Sequence, residues 1–382
     1  LDPKPARNLG LDIFRGLTVV LMLIVNNPGS WSHIYSPFQH PAWDGISLAD
    51  LVFPFFLLAV GASVVFSLEK RIRLGSTKAG ILIYAFLRFL VLVSIGLFLH
   101  AFPHFEMESL RIPGVLQRIG LVYLILVFLY LYSGPIFQYW LGVLVLGGYL
   151  YLIVFLPPPN WNGVGEFQFS PNVNWSAYLD SILFGESHVW KYSKPWDPEG
   201  FLSTYPAIVT GMIGFLVGKI LRSEKSRYQV GNPFGEFSIK KSDVLILLGI
   251  IFTVLGLLLD QVFPIIKNLW SSSYVMFSAG LGLGFLGILS GLGVQSSVWN
   301  AWILVLGKRA LFVFVFSAIF SRILILPTME GTWKGYIFQK MSVFSDPFLN
   351  SFFYSFAYLV FVSLVTLIWD KIISRIKFQP SS

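Results

Sequence analysis

Long apolar runs separated by short polar stretches dominate the chain. A helix that crosses a bilayer needs about 20 mostly apolar residues. Ten segments meet that requirement: 12–29, 48–68, 79–101, 114–132, 136–156, 202–221, 242–260, 272–293, 306–326 and 350–370. The least regular is 306–326, which opens on Lys308 and Arg309 and carries Arg322 near its far end. The pattern predicts an all-α integral membrane protein with about ten transmembrane helices in a single domain over residues 1–382. No internal repeat or low-complexity tract interrupts it. The stretch PPPNWNG at 157–163 starts a loop, since Pro and Gly there cannot continue the helix. The opening residues, LDPKPARNLGLDIFRG, are polar and run straight into the first span, so no cleavable signal peptide is expected.

Loop charge sets the expected orientation, because cytoplasmic loops collect Lys and Arg. With the N-terminus in the cytoplasm, sixteen of the 27 basic residues fall in cytoplasmic segments. They are Lys4, Arg7, Lys70, Arg71, Arg73, Lys78, Arg222, Lys225, Arg227, Lys240, Lys241, Lys308, Arg309, Lys371, Arg375 and Lys377. Six fall outside, and an even number of spans returns the C-terminus to the cytoplasm. The outer loops are then about 30–47, 102–113, 157–201, 261–271 and 327–349. All five histidines and eight of the twelve tryptophans lie in or beside them, which points to the outer face for ligand chemistry.

Composition agrees with the spans. Apolar residues make up 55% of the chain and charged ones 12%, about half of what a soluble domain carries. The mean hydropathy of +0.72 requires lipid around most of the molecule. The net charge of +8 reads as topology and not as a nucleic-acid surface, since no basic run stands on a soluble fold. The absence of cysteine excludes disulfides, zinc-thiolate sites and cysteine nucleophiles. No metal is expected.

Polar groups inside the spans are costly and default to paired or functional roles. Asp12 and Arg15 are three apart on one helix face and can neutralise each other. Arg88 lies near the middle of its span and needs a carboxylate, backbone carbonyls or an anionic ligand. Asp50 and Arg118 begin their spans at similar depth and form a plausible pair. Asn26 and Asn27 end the first span; they either cap the helix or present an amide to a ligand. In HPAWDGISLADLVFPF, residues 40–55, His40 stands just before Asp50, with Trp43 offering an apolar face.

Five blocks occur in order: LDIFRGLTVVLMLIVNN, HPAWDGISLADLVFPFFLLAVGAS, RIPGVLQRIGLVYL, WDPEGFLSTYPAIVTGMIGFLVGKIL and KNLWSSSYV. Together they resemble the heparan-α-glucosaminide N-acetyltransferase family of transmembrane acyltransferases, over about residues 11–330. The resemblance implies transfer of acetyl from cytosolic acetyl-CoA, as co-substrate, to the amine of a glucosamine-type sugar or glycan on the extracytoplasmic side. Carried over by position, the family's active-site histidine is His40 and its functional asparagine is Asn26. The family's usual Asn in the W-N-G step is Asp44 here, the loop from Asn26 to His40 is a little longer, and no large lumenal domain precedes the first block. These departures suggest a prokaryotic member, in the bacterial inner membrane with its site facing the periplasm or exterior. The resemblance also implies a homodimer.

On that reading His40 acts as general base or as an acetyl-carrying nucleophile, the former needing no second step. Asn26 would donate to the developing oxyanion. Asp44 or Asp50 would orient the imidazole or attract a cationic amine. Trp43, Trp196 and Trp270 are candidate sugar platforms, and Asp197, Glu199, Lys267 and Asn268 are further candidates by position, as is Arg118. Arg71, Arg73, Lys219, Lys308 and Arg309 are candidates for the nucleotide phosphates, with Arg15 and Arg88 nearer the pantetheine arm. An amino-sugar permease fits the same spans. Against it stand the lack of an inverted-repeat signal and of a matched pair of broken helices.

Overall fold

The computed structural model describes residues 8–165, 167–223, 227–232, 235–293, 298–329 and 331–376. Lys4, Arg7, Lys225 and Lys377, used in the charge argument, lie outside them. The chain is an all-α integral membrane protein. Among the described residues, nine helices are long and apolar enough to cross a membrane. They are α1 (Leu9–Asn26), α2 (Leu48–Arg73), α3 (Lys78–Ala101), α4 (Val115–Tyr132), α5 (Pro135–Phe155), α7 (Thr204–Arg222), α8 (Lys241–Asp260), α9 (Ser272–Gly291) and α13 (Pro347–Ile376). Each coincides with one expected span.

The expected span at 306–326 differs. It is a bent pair, α10 (Val298–Lys308) and α11 (Ala310–Leu324), whose axes over Ala301–Lys308 and Ala310–Leu324 diverge by 82°. The helix stops where Lys308 and Arg309 interrupt the apolar run. Two stretches read as loops contain short helices, α6 (Trp175–Leu183) and α12 (Trp333–Met341). The connection before α8 holds an antiparallel hairpin, β1 (Arg227–Asn232) with β2 (Gly235–Lys240), in register Arg227↔Lys240.

The chain divides into two compact units. One contains residues 41–46 and 53–292; the other contains 8–40, 47–52 and the described residues from 293 onward. In the first, Leu57, Val64 and Leu68 of α2 pack with Ile81 and Ala85 of α3, Val122 and Leu126 of α4, Phe215 of α7 and Val275 of α9. The hydrophobic effect cannot drive helices together when lipid tails are equally apolar, so close backbone approach must do it. Glycine permits that approach. A Cβ on Gly61 of α2 would meet the backbone of Gly211 and Gly214 on α7, and one on Gly214 would meet Leu58 and Gly61. Gly249 of α8 stands in the same relation to Gly280 and Gly284 of α9.

In the second unit, Gly16 of α1 lies against Ile303 of α10, and Gly307 against Asp12 and Gly16. Phe312, Phe316 and Phe320 stack along α11, and Phe312 and Phe320 continue onto Trp369 and Phe361 of α13. Tyr358 of α13 donates its hydroxyl to Ser317 O at 2.8 Å.

Gly214→Leu forces backbone apart on both α2 and α7. Its expected cost is about 2 kcal/mol or more, seen as a lower thermal unfolding temperature in mild detergent. An unchanged temperature would contradict the close α2–α7 contact.

Candidate active site

α2 begins with the acidic half of a capping box. Asp50 Oδ2 accepts from Ser47 N at 2.9 Å and from Ser47 Oγ at 3.1 Å, while Asp50 N donates to Ser47 O at 3.1 Å. An acidic side chain three residues into a helix, reaching back to the capping Ser, ties down the first turn and suits the positive end of the helix dipole. The other carboxylate oxygen, Oδ1, lies 2.6 Å from His40 Nδ1. An ionised carboxylate only accepts, so Nδ1 carries the proton and Nε2 becomes the basic nitrogen of the imidazole. The Asp50 side chain is 1% exposed and that of His40 is 43% exposed. A fixed, buried acceptor therefore orients an imidazole that reaches solvent.

The segment leading to His40 is held on the start of α13. Gly29 N donates to Ser351 O at 3.2 Å, Tyr35 Oη donates to Asp346 Oδ2 at 3.1 Å, and Phe38 stacks on Phe352 with ring centroids 5.7 Å apart. At the end of α1 the two asparagines divide their work. Asn27 is buried and its amide donates to Leu23 O at 2.9 Å, completing the helix end. Asn26 is exposed. The capping reading holds for Asn27, and Asn26 is left with its side chain at the surface.

Residues 41–46 belong to the first unit, where they join other inter-helix loops. Trp43 Nε1 donates to Phe169 O at 2.8 Å, and its ring meets that of Trp196 edge-on at 4.9 Å. Gly45 N donates to Ile265 O at 3.1 Å and Gly45 bridges Ile266 in parallel. Its φ of +97° is a conformation that favours glycine. Asp44 is exposed, with Oδ1 accepting from Gly45 N at 2.9 Å.

Asp197 and Glu199 are organised by Arg111, a residue that loop charge alone did not single out. Arg111 Nε and Nη2 donate to the two Asp197 oxygens at 2.8 and 2.6 Å, and Nη2 also pairs with Glu199. Burial alone would lower the Arg111 pKa; Glu199 and Asp197 outweigh it and raise it. Asp180 of α6 completes the loop from within, accepting from Asp197 N at 3.0 Å and Phe201 N at 2.8 Å. Asp197 and Glu199 thus hold the loop before α4 and the loop before α7 together.

The remaining candidates separate into groups. Arg118 is buried, donating to Gly200 O at 3.1 Å and Ser203 Oγ at 2.5 Å, with its guanidinium 5.1 Å from the Trp270 ring. Asp50 and Arg118 fall in different units, and each has these partners within its own. Trp270 is corrected from sugar platform to core: it is 1% exposed and its indole donates to Thr210 Oγ1 at 3.1 Å. Asn268 is half-buried beside it in sequence. Of the expected phosphate ligands, Arg71 lies over Tyr84 at 3.8 Å and Arg88 over Tyr123 at 4.6 Å. Arg73 is exposed, and Lys219 donates to Gln138 Oε1 at 3.4 Å. Arg15 and Lys308 both lie in the second unit, Arg15 paired with Asp12 and Lys308 with Asp370 of α13 at 2.9 Å.

The family model described as heparan-α-glucosaminide N-acetyltransferase, catalytic, matches residues 7–178, which include Asn26, His40, Trp43, Asp44, Asp50 and Arg118. The human heparan-α-glucosaminide N-acetyltransferase is 31% identical over 320 residues, covering 72% of this chain and 47% of that protein. The chain belongs to the heparan-α-glucosaminide N-acetyltransferase family. The mouse member is 30% identical over 309 residues, covering 69% of the chain and 46% of its own length. The chain thus spans about half the length of the curated relatives it matches. Asp197, Glu199, Asn268 and Trp270 fall beyond the part matched by the family model.

Asp180 gives these loops a measurable pH signature. Burial, reinforced by the charge of Asp197 and opposed by the N–H groups of Phe201 and Asp197, pushes its pKa from an ordinary 3.8 up to about 7. Its folded form therefore keeps a proton that the unfolded chain has released. The resulting stabilisation is complete below about pH 4 and is lost as pH rises through about 7. Thermal unfolding across about pH 4 to 8 should show the wild type losing stability with rising pH, and Asp180→Asn giving a flatter profile. Superimposable profiles would remove Asp180 as the titrating group.

Proposed function

We propose that this chain is an N-acetyltransferase, working as a single acyltransferase domain in a bacterial inner membrane. It takes acetyl from cytosolic acetyl-CoA and delivers it to the amine of a glucosamine-type sugar on the extracytoplasmic side. The observation that carries this reading is the 2.6 Å contact between His40 Nδ1 and Asp50 Oδ1, within a family of acetyltransferases. It directs the basic Nε2 away from the carboxylate, as a general base requires.

The amine nitrogen attacks the thioester carbonyl while His40 Nε2 takes the amine proton. The carbonyl oxygen gains negative charge, and the exposed amide of Asn26 is the candidate donor to it. The tetrahedral intermediate then expels the thiolate of CoA, to which His40 returns the proton. No acetyl-histidine is needed, because attack and departure share one base. Buried Asp50 stabilises the imidazolium formed between the two proton transfers, and the capping box keeps it in place. Trp43, beside Trp196 and three residues from His40, offers an aromatic surface to the sugar ring. Asp44, exposed next to it, suits a cationic amine.

The broken tenth span favours a second reading, an amino-sugar permease, since transporters use half-helix ends for binding. It is one break among the described residues, without a counterpart that would complete an inverted pair.

Purified protein given acetyl-CoA and glucosamine should release CoA and form N-acetylglucosamine, both followed by mass spectrometry. His40→Ala should lose at least about 1,000-fold in kcat, within the usual range for a positioned base. Asn26→Ala should lose on the order of 100-fold. Asp50→Asn should lower kcat more than it changes KM, because it alters the base and not sugar binding. Sugar binding without product or CoA release would transfer the assignment to the permease.

A further inference from the structure

Residues 27–39 join Asn26 to His40, and the helical part of that stretch is one 3-10 turn, Ser36–Phe38. A loop of this kind has no ladder of its own to fix its shape, and ordering its backbone costs conformational entropy. A base and an oxyanion donor that act on one carbonyl must nevertheless stand at a fixed separation. That separation has to be set from outside the loop.

One face of α13 lies along it. Phe348, Ser351, Phe352 and Ser355 fall at i, i+3, i+4 and i+7, on one side of the helix. Ser355 Oγ donates to Asn27 O at 3.1 Å. Ser351 meets the loop backbone three times. Its O accepts from Gly29 N at 3.2 Å, and its Oγ accepts from Ser30 N at 3.0 Å and donates to Ser30 O at 3.1 Å. Phe348 meets the ring of His33 edge-on at 5.4 Å and lies 5.6 Å from that of Tyr35, and Phe352 stacks on Phe38. Asp346, just before the helix, accepts from Phe348 N at 2.9 Å with Oδ1 and from Tyr35 Oη at 3.1 Å with Oδ2.

Hydroxyls in an apolar helix ordinarily return to the carbonyl one turn back. Thr366, farther along α13, does this with Val362 O at 2.8 Å. The Ser351 hydroxyl instead makes both of its bonds with Ser30, and Ser355 shares its proton between Ser351 O and Asn27 O, each at 3.1 Å. The two serines are 2% and 3% exposed, so water does not replace these bonds when they are lost. Gly29 is packed so closely on Phe338 that a Cβ there would overlap its ring, which leaves the loop no nearer position to settle into.

We propose that Ser351 and Ser355 are positioning residues for acetyl transfer, through which α13 sets the separation of Asn26 and His40. The inference rests on the reading above of His40 as base and Asn26 as oxyanion donor. It adds to the site a span that lies beyond residues 7–178, the part matched by the family model.

The test is steady-state acetyl transfer from acetyl-CoA to glucosamine by the full chain in mild detergent, with thermal unfolding recorded for each variant. S351A should lose about tenfold or more in kcat, with KM for either substrate within about twofold of wild type, because geometry and not binding is disturbed. S355A should change in the same direction. T366A deletes a buried hydroxyl from the same helix away from the loop and should keep the wild-type kcat. If S351A does not fold, F352L, which loses the stack on Phe38 and stays apolar, carries the same expectation. A cycle with N26A supplies the second readout. Once the amide is gone its placement no longer matters, so S351A should cost N26A about threefold or less.

Losses that multiply across the cycle, a KM that rises as kcat falls, or a T366A loss equal to that of S351A would make the serines structural and overturn the proposal. Unchanged kcat in S351A and S355A would overturn it as well. H40A and N26A as active as wild type would fail the reading of those two residues, and this proposal with it. Their loss of activity beside an unaffected S351A would fail the proposal alone.

Discussion

A backbone N–H or C=O without a partner costs several kcal/mol in hydrocarbon, where no water can substitute. That constraint turns each apolar run of this chain into a helix and confines irregular backbone to the helix ends. It also explains how the helices meet. With lipid as apolar as leucine, association depends on close contact, and Gly61, Gly211, Gly214, Gly249 and Gly280 provide it by the absence of a side chain. Polar chemistry is thereby pushed to the ends of the spans, where helix termini, capping residues and loops come together.

The capping box at the start of α2 shows how structural need and chemistry converge. Asp50 is required to satisfy the first turn of a membrane helix, so it must be buried and ordered. Its second oxygen is then available as a rigid acceptor for His40. The same carboxylate serves helix and imidazole, and a base oriented this way loses little entropy on reacting. The loops before α4 and α7 follow related logic. Arg111 neutralises Asp197 and Glu199, and Asp180 binds two backbone N–H groups, so a long polar connection keeps one shape beside the apolar spans.

The interruption at Lys308 and Arg309 is the exception that the same constraint makes informative. A run of apolar residues would have given one continuous helix; two consecutive cations could not be left in its middle. The chain instead ends α10, turns by 82°, and restarts with α11 beside Asp370. The charge that breaks the helix also leaves its new end positive.

Much of this was legible in the residue pattern, because hydropathy over about 20 residues is a direct statement about transfer into lipid. Nine spans, the placement of His40 beside the first turn of α2, and the irregularity at 306–326 all followed from it. The family was legible separately, through the resemblance of five sequence blocks, and the human relative is 31% identical. Partnership was not legible. Hydropathy says that Arg111, Asp180 and Asp370 are polar, not what they face. Trp270 reads like Trp43 in the sequence, yet one is sealed in the core on Thr210 and the other lies at the loops beside Trp196. Those distinctions depend on which distant segments pack together, and residues 86 positions apart, such as Arg111 and Asp197, meet only when the helices between them have folded. Local solvation energy determined what crosses the membrane; only the tertiary structure decided which polar groups pair and which remain to do chemistry.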